Sequence, residues 1–167
     1  MAPPLLNHLS VLVAEDQPFI ALDLALAVED AGGKVVGPAA SCAEALSLLA
    51  NGTVAAAILD FNLVDGVSSP LVEALVSLDV PFIVHTAVDL PPALAARFPN
   101  LVVRIKPCPA ASLVAQLEIL LVEHGHAVEG AARLHVISKR YEALKNEPPL
   151  LDEVPGFVDE RLPELGA

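Results

Sequence analysis

Aromatic residues are scarce in this chain. Tryptophan is absent, tyrosine occurs once and phenylalanine five times among 167 residues. A core must therefore come from Ala, Val and Leu, and a 54% apolar composition leaves burial ample and argues against global disorder. Cysteine is limited to Cys42 and Cys108, too few for a disulfide framework or a zinc site and in keeping with a reducing compartment. Basic residues are few: nine Lys and Arg against 21 Asp and Glu, a net charge of −12. Phosphate contacts need Lys and Arg, so direct nucleic-acid binding is excluded as a general reading; a protein with a basic face, or a cation, suits the charge better. Long apolar runs are missing too. No stretch approaches the roughly 20 apolar residues needed to cross a bilayer, and "MAPPLLNHLS" has no basic n-region. The expectation is a cytoplasmic protein with no membrane segment, one domain with room for an extension.

What is present is an alternation. Residues 9–14, "LSVLVA", read as a buried strand, and Pro18 suits the first turn of the helix that follows. Gly32 and Gly33 supply its stop. "KVVGPA" reads as a second strand. Ser41 then caps a helix, with Glu44 three residues on in a capping-box pattern. Strand three is "AAAILDF", followed by a loop "NLVDGVSS" and a helix "PLVEALVSLD". "PFIVHT", the short helix "ALAARF", "LVVRIKP" and the helix "ASLVAQLEILLVEH" complete five strand–helix units. Continuous apolar strands alternating with helices argue a parallel sheet covered on both faces. Ligands of such sheets bind beyond the carboxyl ends of the strands.

Those ends carry the chemistry. In "AAAILDFNLVDG" an apolar strand runs straight into Asp60, although strand interiors avoid a carboxylate that would lose its hydration. The first strand ends in Glu15 and Asp16, the fourth in Thr86, and the fifth in Lys106, followed by Pro107. One such Asp alone is commonly a turn residue; the set converging on one edge is not explained that way. Three crowded carboxylates raise one another's pKa, and a hard divalent cation relieves the repulsion. A carboxylate beside bound Mg2+ can act as a nucleophile on phosphorus. A hydroxyl and an ammonium can then donate to the phosphoryl oxygens.

Together "VAEDQP", "AILDFNL", "FIVHTA" and "VRIKPCP" resemble the receiver domain of two-component response regulators over roughly residues 9–123. The resemblance, to CheY-like single-domain receivers, implies a flavodoxin-like (βα)5 doubly wound parallel sheet of order 2-1-3-4-5. It implies Asp60 as phosphoacceptor, and Glu15 and Asp16 as the acidic pair that binds Mg2+ with Asp60. It also implies Asn62 as a further metal ligand through its backbone carbonyl, Thr86 as the switch hydroxyl and Lys106 as the phosphoryl contact. A cis Lys106–Pro107 bond and autodephosphorylation belong to the same expectation, as does a histidine kinase or histidine phosphotransfer protein as partner.

Two features depart from the pattern. Receivers often carry Phe or Tyr three residues before the lysine, and this chain has Val103, so the usual inward turn of a ring has no counterpart. Only 26 residues separate Asp60 from Thr86, so the third helix or its flanking loops should be short. The short span and "AGGKVVGPAASCAEAL" resemble a group of single-domain receivers common in alphaproteobacteria, although that group's "FATG" reads "IVHTA" here. Other residues have bland readings beside functional ones. His85 is a relay histidine or, better, a strand residue facing away from Thr86. Cys108 is a redox site or, better, a loop filler. His124 and His126 are metal ligands or, better, a helix cap.

The domain division expected is a receiver over 1–123 and an extension over 124–167. Within the extension, a helix at about 127–145 is followed by a proline-rich tail. The extension either packs on the receiver, pairs in a dimer or docks a partner. Its helix has Val128, Leu134, Val136, Ile137, Tyr141 and Leu144 roughly on one side. The leading function is a stand-alone receiver acting by protein contact, relay or as a phosphate sink. A non-phosphorylated interaction module on the same fold is the alternative. A Mg2+-dependent phosphatase ranks below both, since such enzymes usually place a second Asp where this chain has Asn62.

Overall fold

A computed structural model of the chain describes residues 6–125. Five strands form one parallel sheet: β1 (Ser10–Ala14), β2 (Lys34–Ala39), β3 (Ala56–Leu59), β6 (Phe82–Thr86) and β7 (Val102–Ile105). Their order is β2-β1-β3-β6-β7, the doubly wound 2-1-3-4-5 arrangement when only these five are counted. Helices α1 (Pro18–Asp30), α2 (Cys42–Asn51), α3 (Ser69–Ser77), α4 (Pro92–Arg97) and α5 (Ala110–Glu123) connect and follow them.

The strand period of two sorts the core into two layers. Leu12, Ala14, Ala57, Leu59 and Val84 pack with residues of α2, α3 and α4. Their neighbours Val11, Val13, Ala56, Ile58 and Ile83 pack with α1 and α5. Burial on both faces is why β1 and β3 read as unbroken apolar runs. Each fully buried Leu, Ile or Val contributes roughly 1.5–3 kcal/mol, so two such layers hold the strand ends rigidly.

The helix ends follow from local chemistry. Pro18 opens α1, and Gly32, at φ +82°, ends it in the left-handed region that glycine tolerates best. Ser41 Oγ accepts the Glu44 N–H at 3.0 Å. The Glu44 carboxylate reaches back to the Ala40 N–H at 3.1 Å, one residue earlier than in a standard capping box.

The "NLVDGVSS" segment is more ordered than the loop expected. It contains a small antiparallel hairpin of β4 (Asn62–Leu63) and β5 (Gly66–Val67). From its tip the Asp65 carboxylate accepts the N–H groups of Cys42 (2.7 Å) and Ala43 (3.0 Å), capping α2 from 22 or more residues away. Those two amides hold the Asp65 carboxyl below its ordinary 3.8. A carboxyl with a depressed folded pKa stabilises the fold above its unfolded value and loses that contribution as pH falls through the folded one. Asp65→Ala should therefore lower the urea midpoint at neutral pH, and the gap from wild type should close only below pH 3.8.

Two further differences matter. β1, β3 and β7 end at Ala14, Leu59 and Ile105, so Glu15, Asp60 and Lys106 are each the first residue beyond a strand rather than its last. Gly37–Pro38 is cis as well as Lys106–Pro107, and only the second was expected. The short span between Asp60 and Thr86 appears as a nine-residue α3, and the short helix expected at "ALAARF" is the six-residue α4. Among the described residues, no helix is long and apolar enough to cross a membrane. The helix expected at about 127–145 and the proline-rich tail lie outside the described residues.

Candidate functional site

The backbone ladder carries on for one residue past the strands and sets the site. Asp60 N–H donates to the Ala14 carbonyl, Glu15 N–H to Ala39 and Lys106 N–H to Thr86, each at 2.8 Å. Neighbouring strands thereby deliver their terminal side chains to one edge of the sheet. Carboxylate oxygens of Glu15, Asp16 and Asp60 lie within 4.8 Å of one another.

Lys106 Nζ bridges this cluster, 2.9 Å from Glu15 Oε2 and 2.7 Å from Asp60 Oδ2. The remaining oxygens take backbone donors: Glu15 Oε1 accepts the Gln17 N–H (3.0 Å) and Asp60 Oδ1 the Asn62 N–H (3.1 Å). Glu15 and Asp60 are buried, while Asp16 is half-buried. Burial pushes the Glu15 carboxyl above 4.5, against the hydrogen bond from Lys106. Burial would also lower the Lys106 ammonium, but its bonds to Asp60 and Glu15 outweigh this and raise it above 10.5. One ammonium against three carboxylates leaves the cluster short of positive charge. An all-oxygen donor set of this kind fits a hard divalent cation such as Mg2+ better than a soft metal.

Of the residues singled out from sequence, the structure thus brings Glu15, Asp16, Asp60 and Lys106 together. Asn62 lies two residues beyond Asp60 and touches it through its amide. Thr86 is fully buried, and its Oγ1 accepts the Val88 N–H at 3.3 Å. Among the described residues no hydrogen bond joins that hydroxyl to Asp60 or Lys106. Val103 is partly buried and packs in the α2–α3–α4 layer.

His85 is 3% exposed and lines a cavity on the α1–α5 side with Ile20, Leu24 and Ala110, away from Thr86 as strand alternation requires. Burial, with Lys106 nearby, lowers its pKa below 6.5. Cys108 is half-buried in the loop after the cis proline. His124 ends α5, its Nδ1 2.8 Å from the Leu120 carbonyl, which is the cap arrangement. His126 lies outside the described residues.

Two supporting residues escaped the sequence reading. Ser68 is fully buried and donates its hydroxyl to the Asp60 carbonyl at 2.9 Å, while its N–H donates to the Phe61 carbonyl at 2.7 Å. It stands at the N-cap of α3 but spends its hydroxyl on the strand end, so no local cap pattern reveals it. Asp65 is the other. The Asp65-Gly66 pair is a hairpin signal that could have been weighed.

No family model matches the chain, and no curated protein matches it either. Solved structures do. The solution structure of SdrG from Sphingomonas melonis Fr1 is 34% identical, over 70% of this chain and 98% of that one, with a TM-score of 0.57. The response regulator PhyR from Brucella abortus is 28% identical over 75% of this chain, with a TM-score of 0.58; the match spans only 53% of PhyR. A CheY-like receiver domain protein from Methanospirillum hungatei JF-1 is 20% identical over 71% of this chain and 97% of that one, with a TM-score of 0.63, a likeness of fold alone. The fold, the acidic edge and these relatives agree: the chain belongs to the response regulator receiver domain family.

Proposed function

We propose that the chain is a phosphoacceptor, taking a phosphoryl group on Asp60 from a phosphohistidine of a histidine kinase or histidine phosphotransfer protein. The observation that carries this reading is Lys106 Nζ, seated between Glu15 and Asp60 at 2.9 and 2.7 Å beside Asp16. An Asp60 carboxylate oxygen forms the new bond to phosphorus as the phosphorus–nitrogen bond breaks, and the electron pair leaves with the imidazole nitrogen. Lys106, already on the Asp60 carboxylate, is in reach of the phosphoryl oxygens and offsets their charge. Glu15, Asp16, Asp60 and the Asn62 backbone carbonyl would hold Mg2+. When bound, the ion neutralises charge on the transferring group.

Ser68 fixes the Asp60 backbone through its hydroxyl, and Thr86, whose Oγ1 holds the Val88 N–H, is the switch hydroxyl beside the loop before α4. The added charge of about −1.5 to −2 biases that loop and the Asn62–Val67 hairpin. Output then runs through protein contact, relay or phosphate storage in the cytoplasm, without an aromatic ring at Val103. A non-phosphorylated interaction module is disfavoured, because it has no use for a buried Glu15 set against Asp60.

Intact-mass spectrometry after incubation with Mg2+ and acetyl phosphate tests the reading. Wild type should gain the mass of one phosphoryl group and Asp60→Ala should gain none. Equal adducts on both proteins would sink it.

A further inference from the structure

The β4–β5 hairpin that follows Asp60 is fastened at both ends. At its base, the Asn62 N–H donates to Asp60 Oδ1 at 3.1 Å, and the buried Ser68 hydroxyl donates to the Asp60 carbonyl at 2.9 Å. Asn62 pairs with Val67 and Leu63 with Gly66, which leaves a two-residue turn of Val64 and Asp65. Gly66, at φ +118°, holds a backbone conformation that a side chain would strain. At the tip, the Asp65 carboxylate accepts the Cys42 and Ala43 N–H groups at 2.7 and 3.0 Å, and the Val64 N–H donates to the Ala40 carbonyl at 3.1 Å. Cys42 and Ala43 open α2, where N–H groups have no partner within the helix. One short, paired element therefore joins the Asp60 carboxylate to the start of α2. The Thr86 side of the site has less to connect: its hydroxyl accepts the Val88 N–H, and Val103 offers no ring to turn.

We propose that this hairpin carries the phosphorylation signal to α2, by withdrawing Asp65 from the Cys42 and Ala43 amides when Asp60 is phosphorylated. The inference rests on Asp60 being the phosphoacceptor. In the free carboxylate, Oδ1 holds the Asn62 N–H and Oδ2 holds Lys106. Phosphorylation turns one of these oxygens into the ester oxygen and moves about −1.5 to −2 of charge outward onto the phosphoryl group. Hydrogen bonds to charged acceptors are roughly twice as strong as neutral ones, so the Asn62 N–H follows the charge outward. Ser68 keeps its hold on the Asp60 carbonyl. The β4 side of the hairpin thus moves while the β5 side stays, and the tip turns. Asp65 sits at that tip and leaves the amides of α2. Ser41 and Glu44 still cap the helix, so the signal frees the first turn of α2 without unwinding the rest.

Cys42 reports on that first turn. It is 7% exposed, and burial pushes its thiol above the ordinary 9.0, so it should react slowly with a thiol reagent. Cys108 is the only other cysteine, and Cys108→Ser leaves Cys42 as the single thiol. In that background, Mg2+ and acetyl phosphate should speed labelling of Cys42 by iodoacetamide several-fold, with the intact mass recorded on the same sample. Asp65→Ala should label at the fast rate without the phosphodonor, and the phosphodonor should add little more. Asp60→Ala should label at a rate that the phosphodonor leaves unchanged. The proposal is overturned by a phosphoryl adduct that leaves Cys42 labelling as slow as before. Slow labelling of Asp65→Ala, its fold verified by circular dichroism, also overturns it. A missing adduct instead removes the phosphoacceptor reading and this route with it, and the mass spectrum tells the two failures apart.

Discussion

Lys106→Ala should slow phosphoryl transfer onto Asp60 by about 100- to 1,000-fold, the usual loss when one preorganised donor is taken from developing negative charge. The same substitution should cost stability, because Lys106 is the one side-chain cation hydrogen-bonded to Glu15 and Asp60 among the described residues. Removing one member of a buried ion pair typically costs about 3–5 kcal/mol. The sign of the pH dependence follows from Glu15. Burial has raised its pKa, so the folded state binds a proton more readily than the unfolded chain does. The penalty is present while Glu15 is ionised and is relieved as pH falls through its folded pKa. Urea unfolding of Lys106→Ala should thus show its largest deficit near neutrality and a smaller one in mild acid. Added Mg2+ should recover more stability in the variant than in wild type, since it restores positive charge to the same carboxylates.

Leu117→Ala should be strongly destabilising, at about 2–5 kcal/mol. Leu117 is fully buried on α5 among Val11, Ile58, Ile83 and Leu113, where α5 seats on the central strands. A layer made of small aliphatic side chains has few long flexible residues with which to refill the cavity. Val64→Ala, at a residue 71% exposed on the hairpin, should stay within about 0.5 kcal/mol of wild type in the same urea titration.

Much of this architecture is legible in the sequence for a physical reason. Strands buried on both faces must be continuously apolar, so β1 and β3 stand out, and a charge directly after such a run, as at Asp60, has few structural explanations. The parallel topology then forces Glu15, Thr86 and Lys106 to the same edge. What escaped depends on distance through space. Ser68 looks like an ordinary helix cap, and only the folded chain shows its hydroxyl turned to the Asp60 carbonyl. Asp65 looks like a turn residue, and its role emerges only because the hairpin tip meets the start of α2. The exposed Phe19, Leu22 and Leu26 of α1 were hidden in another way. They are indistinguishable in type from the residues of the core face, and only their exposure separates them.

The most direct test of the central claim is where the phosphoryl group goes and whether it needs metal. Wild-type protein incubated with acetyl phosphate should be digested and the peptide spanning residues 55–66 examined across a Mg2+ series. A modification on Asp60 that rises to saturation with Mg2+ and is lost in EDTA is the predicted result. A modification at another residue, or one formed equally in EDTA, would contradict the account.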